Sequence, residues 1–201
     1  MALELHRRAA GEARRLAILP AAFDPPTRAH VALADTALAS CDETLLVLPR
    51  VFPHKPYDGV AFEARLQLLL ALAATHPRYS VGSVDDGLFV SIAQACHAAY
   101  GAQVELTFLC GRDAAERIVH WDYGSGPAFA EQLWQFQMLV ARRGEGFAIP
   151  EHMRGRIHTT ELCDCEAVSS TEVRQRLRAG RAIDDLIPSE IAAAIIRLYR
   201  A

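Results

Sequence analysis

Two short segments carry residue types suited to holding and polarising a phosphate. In the first, Pro20–His30 (PAAFDPPTRAH), Pro25 and Pro26 fit a sharp strand-to-helix turn, and the pattern predicts a helix starting near Thr27. Thr27 and His30 then share one face of its first turn. A helix start presents unpaired backbone N–H groups and the positive end of the dipole, which together favour an anion. A hydroxyl and an imidazole add donors that can follow charge onto a phosphate as it develops. The same residues also suit a plain helix cap and a surface histidine, and position alone leaves both readings open. In the second segment, Val168–Gly180 (VSSTEVRQRLRAG), Ser169 and Glu172 have capping-box spacing and Arg174 falls one turn after Ser170. Ser169, Ser170 and Thr171 beneath a guanidinium would receive a di- or triphosphate. A well-capped surface helix with solvated Arg174, Arg176 and Arg178 is the plainer alternative.

Both segments need elements to aim them. Arg15–Leu19, Thr44–Leu48, Tyr79–Val84, Val104–Cys110 and Phe136–Val140 read as strands, and His30–Ser40, Phe62–Thr75 and Phe89–Tyr100 as crossover helices. Short apolar runs alternating with helical periods predict an α/β fold: a doubly wound, Rossmann-like parallel sheet with helices on both faces. The stretch from Ser169 adds a C-terminal helical segment of two helices divided by the turn Gly180–Pro188. Trp121–Pro127 and Arg142–Pro150 are richest in turn residues and read as loops. In such a sheet ligands sit beyond the carboxyl ends of the strands, where the order of connection reverses.

Composition excludes several function classes. With 51% hydrophobic and 22% charged residues over 201 positions, the chain can bury a full core. Lysine plus arginine number 21 against 24 acidic residues, a formal charge of -3, so no global basic field draws nucleic acid. The longest apolar stretch, Leu66–Ala74 interrupted by Gln67, falls far short of the roughly 18 residues a membrane span needs. Residues 1–14 hold arginines and glutamates without an apolar centre and read as a polar tail, not a signal peptide. The expectation is a cytoplasmic protein whose five cysteines stay reduced. Cys163 and Cys165, with His158 upstream, lack the partners and spacing of a closed zinc site.

PAAFDPPTRAH resembles the first signature of the nucleotidylyltransferase superfamily, a strand followed by Gly-x-Phe-Asp-Pro and then His or Thr-x-Gly-His. VSSTEVR resembles the second, Ile/Val-Ser-Ser-Thr-x-x-Arg. Both in this order, at the two ends of one alternating chain, are far more specific than either. The resemblance extends over nearly the whole chain to the nicotinate or nicotinamide mononucleotide adenylyltransferases. Pro49–Lys55 looks like their Pro-x-x-Lys loop, and FEARLQLLLAL like their arginine-bearing helix. Gly111, Asp113 and Trp121 match their Gly-x-Asp followed by a tryptophan, and IPSEIAAAIIRLY is similar to their ending.

The resemblance implies that residues 15–201 form a single nucleotidylyltransferase domain. Its implied reaction joins the AMP part of ATP to nicotinate or nicotinamide mononucleotide, with release of pyrophosphate, in NAD biosynthesis. Ala21, Ala22, Phe23, Thr27, His30, Gly111, Asp113, Ser169, Ser170, Thr171 and Arg174 are then expected at the ATP, and Lys55, Phe89 and Trp121 at the acceptor. Thr27, His30, Lys55 and Arg174 would carry the chemistry. Magnesium is expected to arrive with the triphosphate, because no cluster of carboxylates in the sequence makes a dedicated cage. The expected partners are these small molecules, without nucleic acid or membrane, and homo-oligomerisation stays open.

The chain also departs from the pattern. Pro20 and Ala21 replace the pair of glycines after the first strand, and Ala29 the glycine before the last histidine, so each methyl narrows the approach of a phosphate. Phe89, Val90, Ser91, Ile92 and Ala93 replace the bacterial Tyr-Thr-x-Asp-Thr motif. Thr27 is typical of phosphopantetheine adenylyltransferases, which keeps open an enzyme of the same fold acting on another small phosphate. The lost glycines keep open a noncatalytic nucleotide-binding protein.

Overall fold

The computed structural model describes residues 2–52, 57–124, 126–142 and 147–200. The elements run β1 (Glu4–Arg7), β2 (Arg15–Pro20), α1 (Arg28–Ala37), β3 (Glu43–Val51), α2 (Phe62–Ala74), β4 (Tyr79–Asp86) and α3 (Phe89–Tyr100). Then follow β5 (Glu105–Gly111), α4 (Arg112–Val119), α5 (Phe129–Gln132), β6 (Gln137–Ala141), β7 (Ile157–Thr160), α6 (Ser170–Arg178) and α7 (Ala192–Tyr199). The strands lie in the order β1-β4-β3-β2-β5-β6-β7, with β2 to β7 parallel and β1 antiparallel. From the central β2 the chain winds first through β3 and β4, then returns to the other side for β5, β6 and β7. The reversal between β2 and β5 is a topological switch point.

β2 shows why the sheet is covered on both sides. Ala17 and Leu19 point into one core with Leu33, Leu69, Leu72, Val173 and Ile195, from α1, α2, α6 and α7. Leu16 and Ile18 point into the other, with Ile92, Cys96, Ala115 and Ile118 from α3 and α4. Period-two alternation therefore leaves no polar face, and the strand reads as a continuous apolar run. In the second core the Phe108 ring stacks on Phe89 at 4.3 Å and meets Phe136 edge-on at 4.7 Å. Pro49 fits near the end of β3 because β2 has stopped pairing at Val47, leaving only β4 alongside.

The amino-terminal segment departs from the expected polar tail. Glu4–Arg7 pairs with β4, placing Leu5 opposite Gly82 and Arg7 opposite Val81. Gly82 permits the approach, since a Cβ there would lie 2.8 Å from Leu3 Cδ1. Arg7 donates to the Tyr79 carbonyl, His6 meets Ser83 Oγ at 2.9 Å, and the Ala9 N–H donates to Ser80 Oγ at 2.8 Å. An edge strand needs no continuous apolar run, which is why its sequence looks like a tail. β7 (IHTT) lies at the opposite edge and escapes a hydrophobicity reading for the same reason. No helix among the described residues is long and apolar enough to cross a membrane.

Candidate active site

The chain leaves β2 at the switch point and enters α1 through a tightly held turn. Phe23 adopts φ 47° with its ring buried against His30, centroids 5.0 Å apart. The Ala22 carbonyl accepts from Nη1 of Arg65 at 2.8 Å, and Nε of Arg65 donates to the Val60 carbonyl at 2.9 Å. Arg65 is buried, and its guanidinium lies 4.0 Å from the Tyr57 ring centre, so carbonyls and an aromatic face replace its water.

Thr27 is fully buried as the N-cap of α1. Its backbone N–H donates to Nδ1 of His30 at 3.0 Å, and its hydroxyl lies 2.8 Å from the same nitrogen. Nδ1 therefore carries a lone pair, and in the neutral ring the hydrogen sits on Nε2. Capping thus uses one ring nitrogen of His30 and sets the tautomer at the other.

The second segment docks on the first. Ser169 caps α6 by accepting from the Glu172 N–H at 3.1 Å, and the Ser170 hydroxyl donates to the Pro25 carbonyl at 2.8 Å. Arg174 donates to the Asp24 carbonyl, its Nη1 lies 3.3 Å from Asp24 Oδ2, and Nη2 lies 3.4 Å from Thr171 Oγ1.

A cavity of about 240 Å³ opens where these pieces meet the end of β5. Ala21, Thr27 and His30 line it from the first segment, Ser169 and Ser170 from the second, and Gly111 and Asp113 from the β5–α4 turn. Ala29 also borders it, so its methyl and that of Ala21 occupy space a glycine would leave open. Arg112 and Arg117 of α4 line the same cavity. They stand outside the expected set of site residues, although Arg112 is the middle residue of the Gly-x-Asp and Arg117 lies one helical turn after its Asp.

Other expected residues lie elsewhere. Ala22, Phe23, Thr171 and Arg174 surround the first turn without lining this cavity. The Phe89 ring belongs to the core, so only its backbone at the start of α3 is left for a ligand. Trp121, 40% exposed, borders a separate cavity of about 490 Å³ with Tyr123, Phe129 and His152. Lys55 lies outside the described residues.

The chain is similar to known proteins over nearly its whole length. The cytidylyltransferase-like family profile matches residues 18–176, from β2 into α6. The chain belongs to the cytidylyltransferase-like family. Among its relatives, a probable nicotinate-nucleotide adenylyltransferase of Bordetella pertussis is 30% identical, over 92% of this chain and 98% of that one. Another protein of that name, from Saccharopolyspora erythraea, is 28% identical over 93% and 90%. The fold matches that of Plasmodium falciparum nicotinic acid mononucleotide adenylyltransferase complexed with NaAD, at a TM-score of 0.67 and 18% identity, covering 92% of this chain and 95% of that one.

Proposed function

We propose that the chain transfers the adenylyl group of ATP to nicotinate mononucleotide, or less effectively to nicotinamide mononucleotide, in NAD biosynthesis. Convergence of Thr27 and His30 with Ser169 and Ser170 around one cavity at the switch point carries this reading. The relatives' names and the NaAD complex of the Plasmodium protein support the acceptor.

In this reading an acceptor phosphate oxygen attacks the α-phosphorus of magnesium-bound ATP in line. A new P–O bond forms, the bond from Pα to the bridging oxygen breaks, and pyrophosphate leaves with the electron pair. Positioning and charge stabilisation supply the acceleration without a covalent nucleophile. His30 Nε2–H and the start of α1 meet charge developing on the α- and β-phosphates. Ser169, Ser170, Thr171 and Arg174 take the outer phosphates, Asp113 faces the ribose, Lys55 neutralises acceptor or leaving group, and Trp121 stacks on the pyridine. The reading places the protein in the cytoplasm, an environment suited to its five free cysteines.

Pyrophosphate release from magnesium and ATP, measured with each acceptor in turn, tests the assignment. Release with a pyridine mononucleotide supports it. Release with phosphopantetheine alone moves the chain to another branch of the fold, and failure to release pyrophosphate with any of the acceptors would make it a binding module.

A further inference from the structure

The Asp24 carboxylate is almost fully buried beside the phosphate site but does not line the cavity. Three segments distant in sequence meet on it. Tyr199, at the end of α7, donates its hydroxyl to Oδ1 at 2.6 Å. Arg174 of α6 meets Oδ2 and the Asp24 carbonyl. Tyr57, whose hydroxyl donates to the Val60 carbonyl at 3.1 Å, also borders the carboxylate. Gly59 makes room there: a Cβ would fall 2.6 Å from Asp24 Oδ2 and 2.5 Å from the Tyr57 oxygen. Burial and the Asp24 charge push the Tyr57 hydroxyl up to about 12, and they raise Tyr199 as well, so both remain protonated donors at neutral pH.

This arrangement commits one edge of the Arg174 guanidinium. Nη1 serves Asp24 and one Nη2 hydrogen leans towards Thr171. Nε and the second Nη2 hydrogen have no partner among the described residues. A long arginine side chain loses rotamer freedom when it binds a phosphate, and an anchor on one edge removes that loss beforehand. The anchor works only if Asp24 is itself held, and Tyr199 holds it through the oxygen that Arg174 does not use.

We propose that Asp24 and Tyr199 are positioning residues for ATP: the hydroxyl of the C-terminal helix fixes the Asp24 carboxylate, which in turn presents Arg174 to the outer phosphates. The proposal rests on the adenylyltransferase reading, in which Arg174 meets those phosphates. Its specific content is that a group on α7 governs ATP affinity without touching ATP.

Calorimetric titration of the intact protein tests it, with magnesium–ATP and nicotinate mononucleotide titrated separately so that no turnover occurs. In Tyr199→Phe the dissociation constant for ATP is expected to rise about five- to tenfold, the size of one typical hydrogen bond, while that for the acceptor stays within twofold. Arg174→Lys keeps the charge but removes the fork, so adding Tyr199→Phe to it should change ATP affinity no further. A merely structural hydroxyl would lower the melting temperature and leave ATP affinity unchanged, or weaken both ligands equally; either result overturns the proposal. Full additivity in the double variant overturns it too. Absence of ATP binding by the unmodified chain would instead overturn the adenylyltransferase reading, and the positioning role with it.

Discussion

His30 uses its two ring nitrogens for different ends. Nδ1 accepts the Thr27 N–H at the start of α1, which puts the hydrogen of the neutral ring on Nε2, the donor proposed to meet phosphate. His30→Ala should therefore lower turnover by ~10² or more, the usual cost of removing a donor aimed at developing charge. It should also cost about 1 kcal/mol of stability, because the cap is lost with the donor. Turnover by pyrophosphate release and stability by denaturant titration separate the two effects. Near-normal turnover with reduced stability would leave His30 as a cap alone. The residue types and their spacing were legible in the sequence, but the shared nitrogen was not, since it depends on the side-chain conformation that the turn imposes. Asp24 stood in the same motif with no role visible, because its partners lie 150 and 175 positions away.

At the level of elements, α3 bears on the choice between acid and amide acceptors. Its start offers backbone N–H groups but, with Phe89 in the core, no polar side chain at that position. Asp86 Oδ1 already takes the Leu88 N–H at 2.8 Å and adds a negative charge at the same end. The acid is expected to be preferred only about tenfold, or 1.4 kcal/mol, the yield of dipole and amide contacts without side-chain help. Asp86→Asn should raise that preference by about two- to fivefold, by removing a like charge from the helix start. The ratio of kcat/KM for the two acceptors decides both points, and a fall in the acid preference in the variant would place the acceptor away from α3. Elsewhere, Asp42 pins the start of β2: its Oδ2 accepts from the N–H groups of Arg15 and Arg14, each at 2.9 Å, and these bonds hold its carboxyl below the usual range. A depressed carboxyl stabilises the fold above its unfolded value of about 3.9 and loses that contribution as pH falls through the lower folded value. Asp42→Ala should thus melt a few degrees lower than the parent at neutral pH, with the gap closing in acid. Melting curves across that range check it, and a gap that persisted in acid would show that the charge is not what matters.

On the scale of the whole molecule, the sheet divides the core in two and leaves its outer edges to polar strands. β1 covers the edge of β4, so a variant lacking residues 2–9 should melt lower and associate at high concentration. Calorimetry and light scattering test this, and unchanged behaviour in both would show that β1 adds nothing to the fold. The sequence by itself determined the α/β architecture, because strands buried on both faces must read as apolar runs and their crossover helices as longer periodic segments. It also marked out the two segments proposed to hold phosphate, whose features are local: a turn, a helix start and donors within one helical turn. Only the tertiary structure decided where the edges lie, since a strand paired on one side tolerates polar residues. It alone placed Phe89 in the core and Trp121 at a second cavity, and it brought Tyr199 and Arg174 onto Asp24. Those contacts are fixed by how distant elements pack around a buried charge, and local composition and spacing do not encode that packing.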